Sequence, residues 1–445
     1  MRPLRRLTRL VAAFALVVLT AGPALAQDPD LVRVRLFGTS TPGQVTVGGP
    51  GSVTVDGRPV GRVGPGAQVR IERHGSTVRA TGPGVDGEGR TVEVSPDTPA
   101  ALLHVAGGRA GVDVHGRIVA VVVGAELVVV NHVAMPDYVA SVVASEYGFP
   151  EIEGVKAQAV LARTYAVRAA DPRRAYDLDD HQGSQVYRGA GVVTATTERA
   201  ERETRGQTLT YRGEPVEAVY SSSSGGHTAD NEVVWGTAPV PYLRGVPDPY
   251  DAGAPDHAWR TTADATRVHG ALSRRYGGQV TGVYVAERSR EGRAVRVGLV
   301  GGRRDVVSGS DFRTVVNGTL GWRTVRSTKF DVSLQGGQYV FTGGGFGHGV
   351  GMSQYGARGQ ARAGRSYQDI LAFYFQGTEV RGAPEQAAPA YAAVRPPTAP
   401  AAPAPAAAPA APPRGRGEAF VVRDPAPVVT APPAAPSASR PAPPA

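Results

Sequence analysis

From Leu31 to about Val130 the chain reads as short alternations of apolar and polar residues: Val32-Arg33-Val34-Arg35-Leu36, Val53-Thr54-Val55, Val69-Arg70-Ile71, Val78-Arg79-Ala80, Val92-Glu93-Val94 and Ile118 to Val123. A period of two puts alternate side chains on opposite faces of a strand, and the Gly, Pro, Asp and Asn residues between the runs form turns. The pattern therefore predicts antiparallel β-structure. Asp56-Gly57 and Asp86-Gly87 are the expected hairpin turns, since glycine takes positive φ without steric cost. No residue pattern in this region has catalytic character, and its expected role is structural.

The period changes after Asn131. Pro136 suits a first helical turn, Asp137 lies near the positive end of the helix dipole and Gly148 is a stop signal, so a helix is predicted over Pro136 to Tyr147. Val139, Val142 and Val143 form its apolar stripe, and the next position of that stripe is Glu146. A carboxylate there has two readings. Its head can escape to water or pair with an arginine at the helix end. Otherwise it is buried, and a carboxyl that burial keeps protonated near neutral pH can donate that proton. A second helix is predicted from Glu151 to about Ala169. Lys156 and Arg163 share one of its faces, with Gln158 and Tyr165 nearly opposite, so both pairs cannot line one cleft. The spacing leaves open which pair does.

Two later segments have loop character. Tyr220-Ser221-Ser222-Ser223-Ser224-Gly225-Gly226-His227 follows a strand-like Val216 to Tyr220; small hydroxyl residues before Gly-Gly suit close approach of a ligand, and equally a flexible turn. Gly343 to Ala357 holds seven glycines among fifteen residues, interleaved with His348, Gln354 and Tyr355, and leads into a predicted helix from Tyr355 to Ala363. This is either a pocket-lining loop or a glycine-rich connector.

Composition removes several chemistries. The 445 residues include no cysteine, which excludes disulfides, thiolate nucleophiles and cysteine-ligated zinc. The nine histidines are dispersed without HExxH or HxH spacing. There is no GxSxG elbow, and neither a GK[ST] phosphate loop nor an acidic ribose partner accompanies the glycine-rich run. The formal charge of +9 falls to +5 once Arg2, Arg5, Arg6 and Arg9 are set aside. Those arginines precede the apolar run Leu10 to Leu19 and the cleavage-type triplet Ala24-Leu25-Ala26, so residues 1–26 read as a signal peptide and the protein as exported to the periplasm, cell wall or envelope. Membrane attachment is expected only if that segment is retained. The remaining arginines are scattered, which argues against nucleic acid as a partner. Residues 384–445 carry nearly half of the 37 prolines among alanines and are expected to be a disordered tail.

From about Gly111 to Gly382 the chain resembles the stage II sporulation protein D family and its amidase-enhancer relatives. Three blocks carry the resemblance: Val128 to Val133 with Asp137-Tyr138-Val139, Val142 to Glu146 and Val155 to Ala166; Ser222 to Gly226 with Trp235-Gly236 and Pro241-Tyr242-Leu243; and Gly345 to Ala357 with Ile370-Leu371 and Tyr374 to Gly377. The resemblance implies a lytic transglycosylase of peptidoglycan, acting on glycan strands stripped of stem peptides, with Glu146 as catalytic acid. Lys156, Arg163, Gln158, Tyr165, Ser222, Ser223, His348, Gln354 and Tyr355 are the residues expected to bind substrate or tune Glu146. Some members hold zinc through a cysteine before a Gln-Val-Tyr loop; here Ser184 precedes Gln185-Val186-Tyr187, and with His181 alone nearby no metal or other cofactor is expected.

The expected organisation is an α+β chain: signal peptide 1–26, β-rich region 27–110, a mixed helix and antiparallel-sheet catalytic domain with a substrate cleft over 111–383, and the tail 384–445. The expected partners are peptidoglycan glycan strands and, in a competing reading, a cell-wall amidase that the chain would enhance without itself cleaving glycan. A third reading is an envelope scaffold anchored by the β-region and the tail.

Overall fold

The computed structural model describes residues 30–108 and 110–382; the signal segment 1–26 and the tail 384–445 lie outside the described residues. Twelve strands come first: β1 (Leu31–Leu36), β2 (Gln44–Gly48), β3 (Gly51–Val55), β4 (Arg58–Val63), β5 (Gln68–His74), β6 (Thr77–Gly82), β7 (Val85–Gly89), β8 (Thr91–Pro96), β9 (Leu103–Gly107), β10 (Ala110–Val114), β11 (Arg117–Val123) and β12 (Glu126–Ala134). Helices α1 (Met135–Glu146) and α2 (Ile152–Ala169) follow, then the short strand β13 (Leu178–Asp179) and helix α3 (Ala195–Glu203). The chain is α+β.

Seven strands form one sheet in the order β13-β1-β12-β11-β8-β3-β4, and six form a second in the order β10-β9-β2-β5-β6-β7. The alternation read from sequence is the burial pattern found: Val32, Val34 and Leu36 of β1 point into the core. Strand β12 pairs on both edges, with β1 and with β11, and is buried almost continuously from Leu127 to Val133. The large sheet therefore takes strands from both sides of residue 110, and α1 continues directly from β12, one of its interior strands.

Asp56 and Gly57 turn the β3–β4 hairpin, both at positive φ (47° and 76°). Asp86-Gly87 does not turn the chain. Both lie inside β7, paired with Thr81 and Ala80, while the turn is made at Gly84 (φ 69°). Gly87 is present for packing: a Cβ there would come within 3.0 Å of Val55 and Val60 side-chain atoms. The expected strand over Val216 to Tyr220 shortens to β16 (Tyr220–Ser221), because the Glu217 N–H turns to the Tyr242 hydroxyl (3.0 Å) and the Val219 N–H to the Glu217 carbonyl (2.9 Å).

After α3 come β14 (Thr208–Tyr211), β15 (Glu214–Pro215), β16 and α4 (Asn231–Trp235). A unit with its own core then intervenes, built from β17 (Trp259–Asp264), α5 (Ala265–Tyr276), β18 (Gly278–Arg288), β19 (Ala294–Gly302), β20 (Val306–Ser308), α6 (Gly309–Leu320), β21 (Phe330–Gln335) and β22 (Gln338–Gly343). Phe312, Phe330 and Phe341 sit at its centre, whereas α1, α2 and the N-terminal sheets share the other, larger core. The chain returns to that core through β23 (Met352–Ser353), α7 (Gln354–Arg362), α8 (Tyr367–Tyr374) and β24 (Glu379–Arg381). Strands β16 and β23 pair in parallel, which joins the serine-rich and glycine-rich segments side by side. No helix among the described residues is long and apolar enough to cross a membrane.

Candidate active site around Glu146

Glu146 is the last residue of α1, and the stripe that begins with Val139, Val142 and Val143 carries it inward: it is 1% exposed. Of the two readings of that position, escape to water is removed. Its Oε1 accepts the Val186 N–H at 2.7 Å. Val186 belongs to an extended segment that lies along α1, with the Arg188 N–H donating to Ser141 Oγ (3.3 Å) and the Tyr187 hydroxyl to Asn131 Oδ1 (2.8 Å). Gln185 is wholly buried and links two phenols: Tyr138 donates to its Oε1 (2.8 Å), and its Nε2 donates to the Tyr220 hydroxyl (3.1 Å). Burial pushes the Tyr138, Tyr220 and Tyr165 phenols up, and the Glu146 charge adds to that shift in all three, so all three lie within electrostatic reach of the carboxylate.

Gln354, at the start of α7, donates from Nε2 to the Glu146 carbonyl (2.9 Å). The Tyr355 N–H donates to the Ser222 carbonyl (3.0 Å), and the half-buried Tyr355 ring packs on Phe149 with centroids 4.8 Å apart. His348 is buried against Trp235 (5.5 Å). Desolvation lowers its pKa to about 3, an effect partly offset by a hydrogen bond to the Tyr220 backbone, so the ring is neutral near pH 7. Thus Glu146, Tyr165, Gln354, Tyr355 and Ser222 are drawn together from three separated stretches of sequence.

Lys156, Arg163 and Ser223 are engaged elsewhere. Lys156 Nζ pairs with Glu153 (2.8 Å) and with Glu203 of α3 (2.7 Å). Arg163 is buried and donates to the carbonyls of Thr204 (2.8 Å) and Gln207 (3.1 Å) beside Glu201. That face of α2 is spent on packing α3 and the turn after it. Gln158 is wholly buried, with no hydrogen-bond partner for either amide atom among the described residues. Ser223 donates to Asp251 Oδ2 (2.8 Å).

Asp251 is the centre of a second polar cluster, and sequence reading missed it. It is fully buried and accepts from Ser223 Oγ, Ser353 Oγ (2.8 Å) and the N–H groups of Ser224 (3.1 Å) and Gly225 (3.0 Å), with His257 Nδ1 at 3.2 Å. Asp248 alongside accepts from Ser224 Oγ and the Tyr374 hydroxyl, both at 3.0 Å; burial, then the Asp251 charge, raise its pKa to about 6. Nothing in Val246-Pro247-Asp248-Pro249-Tyr250-Asp251 distinguishes these acids from those of an exposed turn.

Glu146 lines neither of two cavities found among the described residues. One, of about 420 Å³, lies between the Gly225 loop and the intervening unit; the other, of about 170 Å³, is bordered by His115, Asp137, Tyr187 and Glu198. The loop that carries zinc in some relatives does not fit a metal here: Ser184 Oγ accepts the Asp179 N–H (3.2 Å), His181 Nδ1 accepts the Gly183 N–H (3.0 Å), and the Asp180 carboxylate accepts the N–H groups of Phe37 and Gly38. No cluster of three potential ligands occurs among the described residues.

Residues 124–211 match the model of the stage II sporulation protein family. The stage II sporulation protein D of Bacillus amyloliquefaciens is 33% identical over 269 residues, covering 56% of this chain and 75% of that relative. This chain belongs to the stage II sporulation protein D family. The protein of the same name from Bacillus subtilis is 32% identical over 270 residues, again 75% of its length. A Bacillus subtilis protein named amidase enhancer is 29% identical over 275 residues, which is 51% of this chain and 38% of that one. Residues 250–351 match a separate domain of unknown function, which takes in the intervening unit and the start of the glycine-rich run. The family match contains Glu146, Val186, α1 and α2, while Asp251 falls in the second match.

Proposed function

We propose that this family member is an exported lytic transglycosylase that cleaves the β-1,4 bond between N-acetylmuramic acid and N-acetylglucosamine in peptide-stripped glycan. The observation that carries this reading is a carboxylate withdrawn from water at a helix end, held at one oxygen by a backbone amide, with phenols within electrostatic reach. Protonated Glu146 donates its proton to the bridging oxygen as the C1–O bond breaks. The resulting carboxylate takes the proton of the muramoyl C6 hydroxyl as O6 bonds to C1, closing a 1,6-anhydro ring and restoring the acid. One carboxyl serves both steps, in contrast to the carboxyl pairs of hydrolytic glycosidases. The nucleophile is already part of the sugar, so proximity replaces an enzymic nucleophile. Tyr165, Tyr355 and Ser222 border the sugar in this reading. The Gln185–Tyr187 segment must shift to admit the glycosidic oxygen, because Glu146 is sealed as it stands.

Purified protein incubated with peptide-free glycan should release anhydro-ended fragments detectable by mass spectrometry, and Glu146→Gln should end their release while the circular dichroism spectrum is unchanged. Full activity in that variant would refute the assignment.

A second reading is supported by the similarity to the amidase enhancer and by the sealed state of Glu146. In it the chain binds glycan and stimulates a separate cell-wall amidase. Glycan binding without anhydro products, with a faster amidase on mixing, would favour it.

A further inference from the structure

The 420 Å³ cavity has a size typical of small-molecule sites, ~300–1,000 Å³. It lies at the seam of the two cores, between the Gly225 loop on one side and residues of β18, β21 and β22 on the other. Its walls are built without side chains where the two backbones meet: a Cβ on Gly225 would come within 2.5 Å of the Gly344 backbone, and one on Gly343 within 2.2 Å of the Lys329 carbonyl. Lys329, Arg288, His257, Thr342 and Asp331 line the rest.

The charge balance singles out Lys329. Arg288 is already matched, donating to the carbonyls of Gly292 and Phe330 (3.0 Å each) and pairing with Asp331. The Lys329 ammonium donates to the Gly225 carbonyl (2.6 Å) and forms no ion pair with a carboxylate among the described residues. Burial, then the nearby Arg293, lower its pKa, and Asp251 and Glu291 offset this only in part. Arg293 itself is fully buried, bound by the carbonyls of Ser224 (3.2 Å) and His227 (3.1 Å). A half-buried ammonium with two protons to spare, facing a glycine-walled cavity, is a seat for an anionic group.

We propose that this cavity is a subsite for a carboxylate-bearing sugar, with Lys329 binding the free lactyl carboxylate of a muramic acid residue. The proposal rests on the glycan reading above and deepens it. A stem peptide converts that carboxyl to a neutral amide, so a lysine here distinguishes stripped from substituted strands by charge. The unit matched only as a domain of unknown function thereby acquires a role. It supplies most of the lining of a recognition site joined to the Glu146 region through Asp251, Ser353 and Gln354.

The test is calorimetric titration of the intact protein with three disaccharides: N-acetylglucosaminyl-N-acetylmuramic acid, the same compound with its lactyl carboxyl capped as the methylamide, and diacetylchitobiose. The free acid should bind at least about tenfold more tightly than the other two. Lys329→Met should erase that preference and Lys329→Arg should keep most of it. Equal affinity for all three compounds, or an unchanged preference in Lys329→Met, overturns the proposal. The ligand-side comparison needs no variant and decides the matter if Lys329→Met does not fold. No preference in the unsubstituted protein, with anhydro product still formed, refutes the subsite alone; a preference in that protein without product refutes the transglycosylase reading alone.

Discussion

Glu146 and Asp251 are both carboxylates shut away from solvent, and adjacent residues at the start of α7 reach them: Gln354 binds the Glu146 backbone and Ser353 binds the Asp251 side chain. Their surroundings differ. Asp251 is bound by two serine hydroxyls and two loop amides that fix the serine-rich and glycine-rich segments together. Glu146 receives the amide of a segment laid along its helix and has phenols beyond it. Burial alone thus does not mark a catalytic acid. A carboxylate whose donors tie several chain segments together works as a fastener, and the proton-transfer role proposed for Glu146 requires that it not be one.

The sharpest way to break this contrast is paired substitution. Glu146→Gln keeps an acceptor for the Val186 amide, so product formation should fall by about 10²–10⁴-fold while the urea midpoint hardly moves. Asp251→Ala should do the reverse, costing about 3–5 kcal/mol in urea unfolding, because it strands two hydroxyls and two amides in a sealed site. If both variants lose activity and stability together, the distinction between fastener and acid fails.

A smaller effect separates Asp248 from its neighbour. Its folded pKa of about 6 lies above the ordinary aspartate value, so the folded state holds the proton more tightly. Its contribution is fully present below the unfolded pKa and is lost as pH rises through about 6. Asp248→Asn should therefore raise the thermal midpoint above pH 6, by the equivalent of about 2–3 kcal/mol, and leave it unchanged below pH 4. Smallest of all, Gln158→Met replaces a buried amide that lacks partners and should change stability by no more than about 1 kcal/mol, in the stabilising direction. A marked loss of glycan binding in that variant would instead put Gln158 at the sugar.

Local patterning made much of this molecule readable in the sequence. The alternations of β1, β3, β5, β6, β8 and β11, the Asp56-Gly57 turn and the helix bounds near Pro136 and Ala169 all reflect a residue's own preferences and those of near neighbours. Position 146 was visible as a break in an apolar stripe for the same reason. What escaped depends on partners far along the chain. Gly87 looks like a turn residue until Val55 and Val60 are placed over it, and Lys156 and Arg163 look like ligand groups until α3 supplies their acids. Asp251 draws its donors from residues 223–225 and 353, a meeting no periodicity records.

The pairing of β1 with β12 also ties the start of α1 to the start of the described chain. Leu31 pairs with Ala134, and the first N–H of α1, from Met135, donates to the Asp30 carbonyl at 2.7 Å. Residues 37–125 separate the two strands, and such distant closures are slow. The helix bearing Glu146 starts at that junction, so the placement of its carboxyl rests on a contact between segments distant in sequence.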